Sequence, residues 1–314
     1  MKNILVVMGG ISRERKISLK SGSACFKALK NLGYKVKKFD PKFEKYNNIK
    51  KKQVDIIFIS LHGEEGEDGY AQLHFEQLQI PYTHSGVKSS MIAMNKVISK
   101  KIFKINKILT PPHLVLNKNI LNSFIKLKRM LSKNKISYPV VIKPISEGSS
   151  INVFICQNFL SLCRKIKFIS KKYNNFILEK YIGGKEIQVA VLNDKPLGAI
   201  ELVPKRKFYD YKAKYNKNAN TRHVMPAEIS KKNYDKVLKI ASKTHKLFNC
   251  RGITRSDFKF YKNKFYLLEI NTQPGMTNLS LVPEIAHYKK ISFESLVNEI
   301  VKDADIKKWK KKKS

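Results

Sequence analysis

The chain has 314 residues, a length at which one hydrophobic core usually gives way to two or three packed units. Hydrophobic residues make up 42% of it, which is enough to build such cores and too many for a disordered polycation. No apolar run approaches the roughly 20 residues that span a bilayer, so we expect no membrane partner. Four scattered cysteines without a CxxC pair suit a reducing cytoplasm.

The net charge of +39 raises the question of a nucleic-acid partner. However, Lys, Asn and Ile are abundant along the whole chain, and no basic stripe interleaved with aromatic residues stands out. All three residues have AT-rich codons, so compositional drift explains the charge. We therefore expect adventitious polyanion binding, no specific nucleic acid, and a frayed basic tail over residues 306–314.

The first ninety residues alternate predicted strands and helices. An apolar run at residues 4–8 predicts a buried parallel strand, and Gly33 ends the helix that follows it. The remaining elements are a second helix after Gly69 and strands over residues 36–39, 54–60 and 80–82. This order predicts a small doubly wound α/β domain, in which ligands gather at the carboxyl ends of the strands.

Two further units follow. A helix over residues 91–105 leads into the second unit, with predicted strands over 113–116, 140–143, 151–155 and 176–179 and helices over 120–131 and 159–170. The third unit contains strands over 187–192 and 197–202, a polar stretch over 205–220, a helix over 231–247, a hairpin near Asn263 and a final helix over 293–302. We place the domains at residues 1–95, 96–183 and 184–305, followed by the tail.

The hairpin near the C-terminus brings acidic side chains together. If it folds about Asn263, then Asp257 lies opposite Glu269 and Arg255 lies opposite Asn271. The other face would hold Phe258, Phe260, Tyr266, Leu268 and Ile270. Carboxylates about 5 Å apart across a strand pair repel each other. Mg²⁺ would reverse that repulsion because it favours carboxylate and amide oxygens completed by phosphates. A solvated polar face of an edge hairpin is the alternative.

Two stretches upstream suit a nucleotide. Lys143 ends a predicted strand before the loop Glu147-Gly148-Ser149-Ser150, and a lysine beside flexible backbone N–H groups suits a phosphate. An ordinary turn explains this pattern as well. The apolar strand over residues 177–182 turns polar and meets Gly183-Gly184. Such an edge can offer backbone groups to a purine, with Glu186 placed for the ribose hydroxyls.

Several motifs then match a known family almost literally. They are Gly9-Gly10-x-Ser12-x-Glu14-Arg15-x-x-Ser18, Leu61-His62-Gly63-x-x-Gly66-Glu67-Asp68-Gly69, Pro81-Tyr82-Thr83-x-Ser85-Gly86-Val87, Phe208-Tyr209-Asp210-Tyr211-Lys212-Ala213-Lys214-Tyr215, and Asn271-Thr272-x-Pro274-Gly275-Met276-Thr277. From about Lys2 to Val301, the chain resembles the D-alanine–D-alanine ligases of the ATP-grasp superfamily. The resemblance implies an α/β and α+β protein, with an ATP-grasp fold preceded by the small doubly wound domain, and a cytoplasmic homodimer.

The resemblance also implies the reaction. The family uses ATP to phosphorylate the carboxylate of one D-alanine, and the amine of a second D-alanine then attacks the acyl phosphate. The products are ADP, phosphate and the dipeptide for peptidoglycan precursors, and the cofactors are ATP and two Mg²⁺ or Mn²⁺ ions. Three alternatives stay open: another ATP-grasp carboxylate–amine ligase, a relative that joins D-alanine to D-lactate or D-serine, and an inactive polyanion-binding descendant.

The same resemblance implies roles for individual residues. Glu14 would hold the ammonium of the first D-alanine beside His62, and Ser149 and Tyr215 would link to Glu14 and close the site. Lys214 and Tyr215 would lie in a mobile lid over residues 205–220, and Tyr215 favours D-alanine as the acceptor. Arg255 and Gly275 would stabilise the reacting groups, and Ser280 and Leu281 would bind the second D-alanine. The residues that would bind ATP are Lys96, Lys143, Lys214, Glu179, Lys180, Ile182 and Glu186. The metal ligands would be Asp257, Glu269 and Asn271.

Four positions depart from the usual family pattern. Asn95 stands where Asp is usual, Gln273 where Ser is usual, and Leu279 where a polar residue is usual. Asn152 stands where Gly is usual, and its Cβ could stiffen a loop that closes over phosphates. None of the four removes a predicted ligand or cation, so we expect an active enzyme.

Overall fold

The structure is a computed structural model that describes residues 2–204, 221–277 and 279–306. The predicted lid residues Lys214 and Tyr215 and the tail beyond Ile306 therefore lie outside the described residues. The described strands are β1 Asn3–Val7, β2 Lys35–Phe39, β3 Ile56–Ile59, β4 His113–Asn117, β5 Val140–Pro144, β6 Phe154–Cys156, β7 Asn175–Lys180, β8 Lys185–Leu192, β9 Lys195–Val203, β10 Arg222–Val224, β11 Ile253–Tyr261 and β12 Lys264–Asn271. The described α-helices are α1 Arg15–Asn31, α2 Tyr70–Gln77, α3 Val87–Met94, α4 Lys96–Ile105, α5 Phe124–Lys133, α6 Phe159–Ile169, α7 Lys231–Leu247, α8 Leu281–Tyr288 and α9 Phe293–Lys302.

The N-terminal sheet is parallel, as predicted. Its strand order is β2-β1-β3, and Tyr82 adds an isolated parallel bridge to Ile57. One core lies between this sheet, α1 and the C-terminal helix α9, and it includes Val6, Leu29, Phe58, Leu296 and Ile300. At the carboxyl end of β3, the backbone oxygen of Ile59 accepts a hydrogen bond from the side chain of Gln273, in the C-terminal part of the chain.

Two antiparallel sheets follow. The central sheet has the order β4-β7-β5-β6, and helices α5 and α6 cover it through Leu127 and Ile166. The C-terminal sheet has the order β10-β9-β8-β11-β12. Alternate residues of β8 pack on opposite sides of this sheet: Val189 lies in the core that contains α7, and Ala190 lies in the core that contains α8. In the described part of the chain, no helix is long and apolar enough to cross a bilayer.

The predicted register of the hairpin is correct at one end and wrong at the other. Asp257 faces Glu269 and Arg255 faces Asn271, but Phe258 faces Leu267. A β-bulge therefore inserts Leu268 as an extra residue on β12, and this changes which side chains share a face. The buried face holds Phe258, Phe265, Leu267 and Ile270, so its predicted members Tyr266 and Leu268 were wrong.

The turn of this hairpin has two central residues rather than one. Lys262 and Asn263 have φ values of 47° and 55°, and Tyr261 pairs with Lys264. Two consecutive positive φ values are typical of a type I′ turn, whose twist matches that of the flanking strands. The two-residue turn shifts the pairing by one residue and the bulge at Leu268 shifts it back, which is why the acidic pair still meets.

Three predicted elements are interrupted. The helix predicted over residues 91–105 is two helices, because Asn95 has ψ 100° and its side-chain oxygen accepts the N–H groups of Val97 and Ile98. Ser123 likewise caps α5 and separates it from a short 3₁₀ helix over Lys118–Asn122. The strand predicted over residues 151–155 is limited to Phe154–Cys156, since the preceding loop has a left-handed backbone. The proposed domain boundaries stay a prediction.

Candidate active site

A cleft lies between the central and C-terminal sheets. Apolar side chains that include Val141, Ile182 and Leu268 line part of it. Each described residue predicted to bind ATP lines this cleft, as do two of the three predicted metal ligands: Lys96, Lys143, Glu179, Lys180, Ile182, Glu186, Asp257 and Glu269. The bulged Leu268 therefore belongs to the cleft wall and not to the core.

A second, more polar cleft adjoins the first. It is lined by residues of the N-terminal domain and of both sheets, among them Glu14, His62, Ser149, Arg255, Asn271 and Gly275. The two clefts share Lys96, Glu147 and Glu269. A phosphate at the end of a nucleotide in the first cleft can therefore meet a carboxylate held in the second.

The acidic pair at this junction is neutralised by cations. Arg255 makes two hydrogen bonds to Asp257, with Nε 2.7 Å from Oδ1 and a terminal nitrogen 3.0 Å from Oδ2. The Nζ of Lys96 lies 3.5 Å from a carboxylate oxygen of Glu269. Asn271 accepts the backbone N–H of Gln273 at 2.7 Å through its amide oxygen. The positive charges of Arg255 and Lys96 therefore offset the repulsion between the two carboxylates.

These residues fit a hard divalent ion. Within the described ranges, no three His, Cys, Asp or Glu side chains converge, so a metal here would need the amide oxygen of Asn271 and oxygens of its substrate. Mg²⁺ is commonly held in this way, by one or two carboxylates together with phosphates. Asp257, Glu269 and Asn271 would supply the oxygen donors for such an ion.

A buried triad of charges lies behind the nucleotide cleft. One carboxylate oxygen of Glu179 lies 3.0 Å from Nζ of Lys100, and the other lies 3.0 Å from Nζ of Lys143. Nζ of Lys100 also donates to the hydroxyl of Thr110 at 2.7 Å. Burial alone would raise the pKa of Glu179, but the two lysines outweigh it and lower that pKa to about 2. Burial lowers the pKa of Lys100 to about 8.

Sequence reasoning missed Lys100. The signal was available, because Lys100 follows Lys96 by four residues on one helix and so lies on the same face of α4. Its place in the triad also refines the role of Glu179. The side chain of Glu179 holds Lys143, a predicted phosphate contact, in the cleft wall.

The triad predicts how stability responds to acid. Because the pKa of Glu179 is lowered from 4.5 to about 2, its ionisation stabilises the fold above pH 4.5, and this stability is lost as the pH falls towards 2. The loss should be about 3 kcal/mol in the wild type. Glu179→Gln should be less stable at neutral pH and should lack this part of the slope in denaturant unfolding at stepped pH. Glu299→Gln, which removes an exposed acid paired with Lys302, is the control and should keep the slope.

Glu14 lies in a close-fitting pocket at the end of the N-terminal sheet. It is 4% exposed, and the hydroxyl of Ser149 donates to its carboxylate. A Cβ added to Gly63 or Gly148 would lie 2.7 or 2.8 Å from Oε2 of Glu14. A side chain at either position would therefore displace the carboxylate of Glu14. The Glu14–Ser149 part of the predicted link is present, and Tyr215 lies outside the described residues.

His62 and Gln273 join the N-terminal domain to the C-terminal sheet. Nδ1 of His62 lies 3.1 Å from the backbone oxygen of Gln273, and Nε2 lies 3.3 Å from the hydroxyl of Ser21. The side chain of Gln273 donates to the backbone oxygen of Ile59 at 2.6 Å. The departure at Gln273 thus has a structural role, since a serine there could not reach the same carbonyl.

Ser280 and Leu281, which are predicted to bind the second D-alanine, have different surroundings. Ser280 lies against Gly275, where an added Cβ would be 2.9 Å from its hydroxyl, and this hydroxyl accepts the N–H of Thr277 at 2.9 Å. Leu281, the first residue of α8, is 6% exposed and packs in the core with Val282. A contact between Leu281 and a substrate methyl stays a prediction.

Three sheets, a cleft lined by cations and carboxylates between the last two, and an adjoining polar cleft are typical of a ligase of the ATP-grasp class. The family described as D-ala D-ala ligase C-terminus matches residues 103–302. A D-alanine–D-alanine ligase of Pelagibacter ubique is 53% identical over 307 residues, covering 97% of this chain and 99% of the relative. The chain belongs to the D-alanine–D-alanine ligase family.

Solved structures agree with the sequence relatives. The crystal structure of D-alanine–D-alanine ligase from Bacillus anthracis has a TM-score of 0.85 at 32% identity, covering 96% of this chain and 97% of the other. The structure of that enzyme complexed with ATP has a TM-score of 0.83 at 29% identity, with the same coverage. The likeness extends through the N-terminal domain and both sheets.

Proposed function

We propose that this protein uses ATP to join two D-alanine molecules into D-alanyl-D-alanine, with release of ADP and phosphate, for peptidoglycan precursors. The observation that carries the proposal is the junction of the two clefts at Lys96, Glu147 and Glu269. The relatives' names supply the amino acid, and the ATP complex of a relative supports the nucleotide. A cytoplasmic homodimer is part of the proposal, and sedimentation would test the dimer.

The first step forms an acyl phosphate. A carboxylate oxygen of the first D-alanine attacks the γ-phosphorus of ATP, and the bond from that phosphorus to the bridging oxygen breaks to leave ADP. Glu14 holds the ammonium of this D-alanine, with His62 beside it, while Lys96 and Lys143 contact the phosphates. Asp257, Glu269 and Asn271 would hold two Mg²⁺ or Mn²⁺ ions, which neutralise phosphate charge when bound.

The second step forms the peptide bond. The amine of the second D-alanine attacks the carbonyl carbon of the acyl phosphate, and phosphate leaves from the tetrahedral intermediate. Arg255 and the backbone N–H of Gly275 stabilise the oxyanion, since both line the cleft where it forms. Ser280 meets the carboxylate of this acceptor and Leu281 its methyl group. Lys214 and Tyr215 belong to the proposed lid.

Release of phosphate that depends on both ATP and D-alanine tests the function directly. L-alanine, D-lactate and D-serine are the rival substrates, and dipeptide should form only with D-alanine as donor and acceptor. Phosphate release with another acceptor instead would identify a different ligase of the same class. No release with any of them, together with DNA binding that persists at high salt, would favour a polyanion-binding descendant.

Glu14→Gln should weaken binding of the first D-alanine. The amide keeps the size of the side chain and can still accept from Ser149, but it loses the charge that holds an ammonium. We expect the KM for the first D-alanine to rise about tenfold to a hundredfold, as for a lost charge-assisted hydrogen bond. The KM for ATP should not change, and Glu44→Gln, at an exposed acid of the same domain, should behave as the wild type. An unchanged D-alanine KM would show that the ammonium binds elsewhere.

A further inference from the structure

The loop between β5 and β6 forms part of both clefts and has an unfavourable backbone. Glu147 and Ser150 line the nucleotide cleft, and Glu147 and Ser149 line the amino-acid cleft. Ser149, Ser150 and Asn152 have φ values of 47°, 59° and 55°. Residues with a Cβ rarely adopt this region, and such a conformation persists only where its surroundings hold it. The loop therefore needs an external restraint.

Tyr173, which follows α6, supplies contacts to both ends of the loop. The side-chain amide of Asn152 donates to the hydroxyl of Tyr173 at 2.9 Å, and that hydroxyl donates to the carboxylate of Glu147 at 2.5 Å. Lys172 adds a hydrogen bond to the same oxygen of Glu147 at 3.3 Å. One phenol thus ties the start of the loop to its end from outside the clefts.

The start of the loop is tied to the phosphate side of the site as well. The backbone oxygen of Glu147 accepts from Nζ of Lys96 at 2.7 Å, and the backbone oxygen of Ile145 accepts the N–H of Lys96 at 3.0 Å. Lys96 in turn approaches Glu269. A shift of Glu147 would therefore move the loop backbone together with a cation predicted to contact ATP.

Asn152 suits its position in two ways. Asn tolerates the left-handed backbone better than most residues with a side chain, because its short polar group forms local hydrogen bonds. It also provides the donor that Tyr173 accepts. A glycine would adopt the same φ without strain but would leave the hydroxyl of Tyr173 with one partner fewer. The departure at Asn152 and the presence of Tyr173 thus form one unit.

We propose that Tyr173, through Asn152 and Glu147, is a positioning residue that holds the Ser149–Ser150 backbone ready to receive the β- and γ-phosphates of ATP. This inference rests on the proposed function, because it assigns the loop to the triphosphate. Ser149 and Ser150 are the central residues of a turn closed by the hydrogen bond from the N–H of Ile151 to the backbone oxygen of Gly148. Successive backbone N–H groups in a turn conformation form concave anion sites. Tyr173 itself touches no substrate.

Tyr173→Phe tests the inference because it removes one hydroxyl and keeps the ring. We expect a non-hydrolysable ATP analogue to bind about tenfold more weakly, the effect of one lost hydrogen bond to a charged group. AMP, which lacks the β- and γ-phosphates, should bind as tightly as to the wild type. Tyr138→Phe is the matched control, because the buried hydroxyl of Tyr138 in the same unit has no hydrogen-bond partner in the described chain. It should leave both affinities unchanged.

A double-mutant cycle with Asn152→Gly gives a second measurement. If the two side chains act as one unit, Tyr173→Phe should weaken analogue binding less in the Asn152→Gly background than in the wild type. Equal losses for AMP and the analogue, or an effect of Tyr173→Phe no larger than that of Tyr138→Phe, would overturn the inference. A wild-type protein that binds the analogue but forms no dipeptide would overturn the proposed function alone.

Discussion

Glu269→Ala should lower kcat at least about a thousandfold, since metal-assisted charge neutralisation supplies several kcal/mol to phosphoryl transfer. Glu269 lies where the two clefts meet, opposite Asp257 and 3.5 Å from Lys96. Without it, Asp257 is the lone carboxylate of the pair and the transferring phosphate keeps its charge. Steady-state dipeptide formation at saturating ATP, D-alanine and Mg²⁺ measures the loss.

Two further variants separate chemistry from folding. Glu269→Gln keeps the size and hydrogen-bonding capacity of the side chain but not its charge, so it should fold normally and be nearly as inactive. Glu299→Ala removes an exposed acid that pairs with a lysine at a distance from both clefts, and it should be fully active. Near-normal turnover of Glu269→Gln at high Mg²⁺ would contradict a metal role for this residue.

The acidic pair was predictable because strand alternation fixes which side chains face each other close to the site. The bulge at Leu268 was not, since an inserted residue changes neither the composition nor the hydrophobicity of β12. For this reason, the prediction of which side chains share the buried face is wrong for the residues of β12 between the bulge and the turn. Leu268 is apolar and lines the nucleotide cleft, and the sequence does not distinguish a cleft wall from a core.

Local hydrogen bonds account for the other differences. The hydrophobic pattern runs without interruption through Asn95, and only the cap that its side chain makes breaks the helix there. The left-handed backbone at Ser149 and Ser150 has no sequence signal, because serine is not a residue that favours positive φ. Tyr173, which is distant in the chain, contacts the residues on either side of this backbone, Glu147 and Asn152. Tertiary contacts of this kind are beyond periodicity and composition.

The motif resemblance predicted more of the candidate site than periodicity did. It brought Glu14, from the N-terminal domain, to the same cleft as Arg255 and Gly275, which no local pattern could do. It was less informative for Leu281, which the structure packs in the core. It also omitted Lys100, a fully buried counterion of Glu179 that lines neither cleft.

Arg255→Met should affect both stability and catalysis. The guanidinium binds Asp257 through two hydrogen bonds, and Asp257 is 4% exposed, so its loss leaves a buried carboxylate without that partner. We expect the free energy of unfolding in EDTA to fall by about 1–3 kcal/mol. We expect kcat to fall about a hundredfold to a thousandfold, as when one donor to an oxyanion is removed.

Arg255→Lys separates the two roles of this residue. Lysine keeps the positive charge beside Asp257, so the free energy of unfolding should largely recover. It lacks the planar fork of the guanidinium, so kcat should stay low. Denaturant unfolding and single-turnover dipeptide formation measure the two quantities on the same preparations. If the lysine variant recovered turnover and stability together, Arg255 would act only as the counterion of Asp257. A kcat that stays low in a stably folded lysine variant would support a direct role of the guanidinium at the oxyanion.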